Sequence, residues 1–154
     1  MAELTYREAV TRGIARDGAR SRRDLLRRGR RQARQRVQAT VLTHHDQFSP
    51  KRVRDCPISE QAILGAAMGA AMTGLKPIAE IMFSDFIAVC FDYIANRFPK
   101  SRYMSNGQLK CPLVVRTGNG AGSRFGAQHS QSVENWCMMI PGLKVVTLPR
   151  TRAT

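Results

Sequence analysis

A run of eleven small and apolar residues constrains the fold of this chain more than any other feature. It extends over Ala62–Met72 and contains no polar or charged side chain. Ser59 is suited to cap a helix before it and Gly74 to end one after it, so we predict a helix over Glu60–Thr73. A helix that is apolar all round is buried on all sides, in a core or between subunits. Two glycines four residues apart would let a second helix approach closely: Gly65 and Gly69.

Short apolar segments alternate with helical ones along the rest of the chain. The N-terminal segment, residues 1–15, predicts a helix with a capping box at Thr5 and Glu8. Alternation of short buried strands with helices predicts a parallel α/β sheet flanked by helices. The predicted elements after residue 74 are a strand over Pro77–Phe83, a helix from Ser84 to about Phe98, a strand over Cys111–Thr117, a glycine-rich loop over Gly118–Gly126, a helix over Val133–Met139 and a strand over Leu143–Thr147.

Positive charge is concentrated in one segment. The chain of 154 residues has a formal net charge of +14, and Arg16–Arg36 alone contains ten arginines against two aspartates. With so few apolar residues this segment predicts a solvated or disordered stretch and no buried strand. A basic module that binds nucleic acid through Arg16–Arg36 is the alternative. That segment lacks the aromatic residues that would stack on bases.

The four cysteines are widely spaced, and no pair is separated as in Cys-x-x-Cys. This spacing predicts free thiols in a reducing cytoplasm. A zinc site from His44, His45 and Cys56 is conceivable, but the paired ligand spacing of such sites is missing. No apolar run approaches the ~20 residues that cross a bilayer.

Three positions could carry chemistry. Glu60 opens the apolar helix, either as a carboxylate favoured by the helix dipole or as a buried group that hydrogen-bonds a heteroaromatic nitrogen. Gly118–Gly122 follows a strand but matches no phosphate-binding fingerprint. His129 lies after that loop, where ligands of α/β sheets usually bind, although a lone histidine is more often structural. These patterns predict a site near Glu60 and His129 without naming a reaction.

Residues 52–60 read Arg-Val-Arg-Asp-Cys-Pro-Ile-Ser-Glu. They resemble the Arg-Val-x-Asp-Thr-Pro-Ile-Ser-Glu signature of the β subunits of thiamine-diphosphate-dependent 2-oxo acid dehydrogenases, which serve pyruvate, branched-chain and acetoin dehydrogenase complexes. The similarity continues through Gly65–Glu80, Phe83–Phe86, Tyr103–Gly107, Arg116, Gln128–Gln131 and Pro141–Val146.

This resemblance implies that residues 46–147 form a pyrimidine-binding domain. Glu60 would hydrogen-bond the aminopyrimidine ring of thiamine diphosphate, Phe86 would pack against that ring, and His129 would assist acyl transfer to a lipoyl group. The Leu113 backbone carbonyl would help bind a structural K⁺. The implied reaction is oxidative decarboxylation of a 2-oxo acid. The implied partners are an α subunit that holds Mg²⁺ and the diphosphate, in a heterotetramer of two α and two β subunits, and a lipoyl acyltransferase core.

Two segments depart from the family pattern. The arginine-rich residues 16–45 replace the family's first strand and glycine-rich stretch, and residues 148–154 replace its continuation. Our hypothesis is that both are out-of-frame translation, so that the domain is incomplete and this copy is a truncated, inactive fragment. A remnant with no partner is a further alternative. An intact reading frame that codes these arginines in related strains would contradict the frameshift.

Overall fold

A computed structural model of the chain describes residues 6–20, 25–28 and 51–147. Its centre is a four-stranded sheet in which every neighbouring pair is parallel. The strands are β1 (Leu25–Arg28), β2 (Val53–Cys56), β3 (Ile78–Phe83) and β4 (Val114–Gly118), and their order in the sheet is β2-β1-β3-β4. The predicted parallel α/β architecture is therefore confirmed.

Helices connect and cover these strands. They are α1 (Tyr6–Arg20), α2 (Glu60–Met72), α3 (Phe98–Met104) and α4 (Glu134–Met138). A 3-10 segment, Ser84–Cys90, and a π-helical turn, Tyr93–Arg97, lie between β3 and α3. The N-terminal helix is confirmed and continues to Arg20, whereas its predicted cap, Thr5, lies outside the described residues.

Within the described part of this chain, helix α2 is buried on one side; the sequence predicted burial all round, in a core or between subunits. Ile63, Leu64 and Ala67 pack into the main core, while the opposite face, which includes Ala66 and Gly69, is exposed. Of the two glycines predicted to face a second helix, Gly65 is covered by Tyr93, whose hydroxyl would lie 2.7 Å from an added Cβ, whereas no described atom lies within 4 Å of a Cβ at Gly69. The core that α2 shares with the sheet and the 3-10 segment includes Ala79, Ile81, Ile87, Cys90 and Ile94.

The C-terminus of α2 is closed by a Schellman motif. Gly74 has φ +94, its N–H donates to the Ala71 carbonyl, and the Leu75 N–H donates to the Ala70 carbonyl. This pattern satisfies the last carbonyls of the helix and needs a residue that tolerates positive φ. At the other end Ser59 occupies the cap position without a side-chain cap hydrogen bond.

Strand β1 corrects the prediction that Arg16–Arg36 contributes no strand. Leu25 pairs with Val53 on one side and with Ile78 on the other, so β1 lies between β2 and β3. A central parallel strand is stabilised by backbone hydrogen bonds on both sides, and these do not depend on an apolar sequence pattern.

The predicted strand over Leu143–Thr147 is absent from the described residues. Val145 and Val146 are exposed, and the Leu143 N–H donates to the Ile140 carbonyl in a turn. An apolar run becomes a strand only when a neighbour offers a hydrogen-bonding ladder, and none of the four described strands pairs with this run.

Candidate active site

The predicted site residues follow the carboxyl ends of three different strands. Glu60 comes four residues after β2, Phe86 three residues after β3, and His129 lies in the loop that follows β4. Because all strands are parallel, these ends lie on one edge of the sheet. The order β2-β1-β3-β4 changes direction between β1 and β3, and ligands of open α/β sheets bind in the crevice at such a point.

Four rings form a cluster at this edge. The His129 imidazole contacts the ring of Phe83 at 5.0 Å between centroids and that of Phe86 at 5.2 Å, both edge-to-face. Phe83 also contacts Phe86 at 6.0 Å and Phe125 at 5.4 Å. Two of the predicted site residues are thus in direct contact. The cluster offers a planar ligand a half-buried aromatic wall beside an imidazole.

Glu60 is the first residue of α2 and is only 6% exposed. The N-terminus of a helix stabilises a negative charge there. The same helical turn is bonded to the 3-10 segment, since Gln61 Nε2 donates to the Val89 carbonyl at 3.1 Å. Burial and, as the second cause, the nearby Glu60 carboxylate raise the pKa of the Cys90 thiol to about 11. Glu60 therefore faces the segment that carries Phe86.

A polar network holds the His129 loop against the start of the 3-10 segment. Gln131 donates to Asp85 Oδ1 twice, from its backbone N–H at 3.2 Å and from its side-chain Nε2 at 2.8 Å. The Ser84 hydroxyl lies 2.6 Å from Asn119 Oδ1 and 3.2 Å from the Gln131 carbonyl. The sequence pattern predicts Ser84 and Asp85 only as the start of a helix. Their polar character between Phe83 and Phe86 was the sequence signal that could have marked these two residues as part of the site.

Asn119 extends this network to α4. Its Nδ2 donates to Glu134 Oε2 at 2.6 Å, and its Oδ1 accepts the Val133 N–H at 3.3 Å. Hydrogen bonds from its own backbone N–H and from Asn119 hold the pKa of the Glu134 carboxyl below its usual value. The glycine-rich loop thus fixes α4 and the His129 loop.

Leu113 lies apart from these residues. It precedes β4, at the amino end of the strand, and its N–H donates to the Cys111 carbonyl at 3.0 Å. Within residues 6–20, 25–28 and 51–147, no group of three or more His, Cys, Asp or Glu side chains could hold a metal ion. His44 and His45, from the conceivable zinc site, lie outside the described residues. The predicted free thiols are confirmed, since all four cysteines are unpaired by disulfides.

A second buried polar contact joins β3 and β4. Glu80 and Arg116 are register partners, and Arg116 Nη2 donates to Glu80 Oε1 at 3.0 Å. The Glu80 side chain is 7% exposed and that of Arg116 26%. Both residues lie in segments that resemble the dehydrogenase β subunits, but the sequence did not indicate that they meet.

The side chains at the carboxyl edge fit an aminopyrimidine. A buried carboxylate can share a proton with a ring nitrogen, because water does not compete for that hydrogen bond. Phe86 offers an aromatic surface for a flat ring.

Among the described helices none is long and apolar enough to cross a membrane.

Comparison with known proteins identifies the family of this chain. Residues 3–153 match the family described as "Transketolase, pyrimidine binding domain". The β subunit of acetoin:2,6-dichlorophenolindophenol oxidoreductase from Bacillus subtilis is 55% identical over 100 residues, which are 65% of this chain and 29% of that protein. The pyruvate dehydrogenase E1 component subunit beta of Rickettsia conorii is 54% identical over 101 residues, 66% of this chain and 31% of that protein.

A longer alignment crosses the arginine-rich segment. The pyruvate dehydrogenase E1 component subunit beta of Rhizobium meliloti is 41% identical over 157 aligned residues, 99% of this chain and 33% of that protein. The chain spans about a third of the length of these curated relatives. The family match over residues 3–153 shows that this chain belongs to the transketolase-like pyrimidine-binding domain family.

Proposed function

We propose that this chain binds the aminopyrimidine half of thiamine diphosphate as part of the β subunit of a 2-oxo acid dehydrogenase of the pyruvate dehydrogenase type. The observation that supports this most is the position of Glu60, Phe86 and His129 after the carboxyl ends of three parallel strands. Relatives named as pyruvate dehydrogenase and acetoin oxidoreductase β subunits support the same class.

In this proposal Glu60 shares a proton with the pyrimidine ring nitrogen, and its burial at the start of α2 strengthens that hydrogen bond. Phe86 packs against the pyrimidine ring. The His129 imidazole, held by Phe83 and Phe86, moves a proton during acyl transfer to a lipoyl group. Bound thiamine diphosphate would supply the electron sink for decarboxylation.

The proposed partners are an α subunit, which would contribute Mg²⁺ and the residues around the diphosphate, in a heterotetramer of two α and two β subunits. A lipoyl acyltransferase core would accept the acyl group. A cytoplasmic location, which suits the four free thiols, is part of the proposal. We expect the 154-residue chain alone not to decarboxylate pyruvate, since half of the cofactor site would be missing. Pyruvate turnover by the purified chain would contradict this division of the site.

The Leu113 carbonyl is proposed as one ligand of a structural K⁺. Its place at the amino end of β4, away from the ring cluster, suits an ion that stabilises the fold. The test is thermal unfolding in KCl and in NaCl at equal ionic strength. We expect a higher Tm in KCl, and equal Tm values would remove K⁺ from the proposal.

Saturation-transfer NMR with thiamine diphosphate tests the proposed cofactor site. When the protein is irradiated, we expect the pyrimidine ring proton and its methyl group to receive more saturation than the thiazolium methyl. Glu60→Gln should weaken binding at least about tenfold, because a hydrogen bond to a charged group contributes about 1.5–3 kcal/mol.

The matched control is Asp55→Asn, which removes an exposed carboxylate on β2, five residues before Glu60. This variant should bind the cofactor as the unaltered chain does. The proposal fails if thiamine diphosphate gives no saturation transfer, or if Glu60→Gln and Asp55→Asn bind it equally well.

A further inference from the structure

We propose that Asp85 and Ser84 are positioning residues for His129, which they hold through Gln131. The role of His129 in acyl transfer rests on the proposed function. The positioning of its ring does not, and it can be measured without cofactor.

In the stretch Phe83–Phe86, the two outer side chains contact one partner and the two inner side chains contact another. Phe83 and Phe86 contact the imidazole of His129, and the two residues between them contact Gln131. Phe83 is the extended residue that precedes the 3-10 segment, and Phe86 is the third residue of that segment. Their ring centroids lie 6.0 Å apart, so both rings lie on one side.

Both polar groups of the Gln131 backbone, its N–H and its carbonyl, are hydrogen-bonded. Its N–H donates to Asp85 Oδ1, and its carbonyl accepts the Gly120 N–H at 3.0 Å beside the Ser84 hydroxyl. Asp85 and Ser84 are 9% and 2% exposed, so water competes little for these contacts. Gln131 is two residues from His129, and the His129 N–H donates to the Gly126 carbonyl at 3.4 Å. The backbone around the imidazole is therefore fixed on both sides.

Asp85 is the stronger of the two anchors. Both Gln131 donors converge on the same carboxylate oxygen, and hydrogen bonds to an ionised acceptor are about twice as strong as those between neutral groups. An asparagine at this position keeps a side-chain oxygen, whereas an alanine keeps neither bond. The pair of variants therefore separates the loss of an acceptor from the loss of a charge.

The test is NMR of the full chain with labelled histidine, with the His129 signals assigned by their loss in His129→Gln. Edge-to-face contact with two phenyl rings displaces the imidazole proton shifts from those of a free histidine. In Asp85→Ala we expect this displacement to fall by more than about half. In Asp85→Asn we expect it to stay close to that of the unaltered chain. Asp92→Ala is the control, since Asp92 is exposed and bonds Asn96 and Arg97 only within its own helical region.

The methyl signals of Ile63 and Ile81, both in the core, report whether each variant folds. If Asp85→Ala loses them, Gln131→Ala replaces it, and we expect a smaller loss of the displacement because only the side-chain bond is removed. Unchanged His129 shifts in a folded Asp85→Ala or Gln131→Ala variant would overturn the proposal. Failure to bind thiamine diphosphate would leave this result intact and count against the cofactor site alone.

Discussion

The ring of Phe86 and the imidazole of His129 meet almost at a right angle, at 89° between planes and 5.2 Å between centroids. The two residues are 43 positions apart in the chain, and one follows β3 whereas the other follows β4. This contact joins, through side chains, the segments that follow β3 and β4 at the carboxyl edge of the sheet.

The contact should be measurable as a coupling energy. Edge-to-face aromatic pairs contribute about 0.5–1.5 kcal/mol beyond the area that they bury. We therefore expect a double-mutant cycle of Phe86→Leu and His129→Gln to give a coupling of about 0.5–1 kcal/mol in the free energy of unfolding. The control cycle pairs Phe86→Leu with Gln108→Ala, an exposed site outside the ring cluster, and should give none. Additive effects in the first cycle would mean that the rings contribute nothing to stability.

Glu80→Ala should destabilise the chain much more than the loss of an exposed acid. It removes the carboxylate opposite Arg116, whose guanidinium is only partly exposed. Breaking a buried pair costs about 3–5 kcal/mol, and we expect about 2–3 kcal/mol here because solvent screens part of the charge. Asp92→Ala, which breaks an exposed pair with Arg97, should leave the unfolding midpoint in urea unchanged.

A double variant separates burial of charge from packing. In Glu80→Leu/Arg116→Met both charged groups are replaced by apolar ones of similar size, so no charge is left without its partner. Most of the stability lost in Glu80→Ala should return. A double variant as unstable as the single one would show that these residues stabilise the sheet in another way.

Cys90 should make folding sensitive to alkaline pH. Burial and the Glu60 charge raise its pKa to about 11, while an unfolded cysteine titrates near ~8.5. Between these values the unfolded chain releases a proton that the folded chain retains, so stability is complete below the lower pKa and falls as pH rises towards the upper one. Urea midpoints should therefore fall more between pH 8 and pH 10 in the unaltered chain than in Cys90→Ala. Equal falls in both would place the titrating group elsewhere.

Two glycines should respond to alanine in opposite directions. Gly69 lies on the exposed face of α2, and a Cβ there would meet no described atom within 4 Å, so Gly69→Ala should stabilise the chain by about 0.5–1 kcal/mol. Gly142 has φ +95, and a Cβ there would come within 3.2 Å of the Pro99 carbonyl oxygen. Gly142→Ala should cost more than about 1 kcal/mol. Thermal unfolding measures both, and shifts of the same sign would contradict the assigned environments.

Local patterns predicted the elements whose causes are local. Helix α2 has a glycine that closes it and an unbroken apolar run, so its bounds were predicted within one residue. β1 was not predicted, because its four residues, two of them arginines, form a strand through backbone pairing with β2 and β3. The run Leu143–Thr147 failed in the opposite way, since it has apolar residues but no partner strand. The link from Asp85 to Gln131 spans 46 positions, and no spacing rule reveals such a pair.

The central position of β1 also has a consequence for the order of events in folding. Leu25 pairs with partners 28 and 53 positions away, and among the described strands β2 pairs with β1 alone. β3 and β4 pair over 36 positions, from Ile78 to Val114. Contacts that close long loops form slowly, so the pairs β1–β2 and β3–β4 should form first and the β1–β3 pairing, which joins them, last. Glu60 follows β2 by four residues. The carboxylate proposed to hold the cofactor would then reach its position relative to the ring cluster only when β1 pairs with β3, at the last stage of folding.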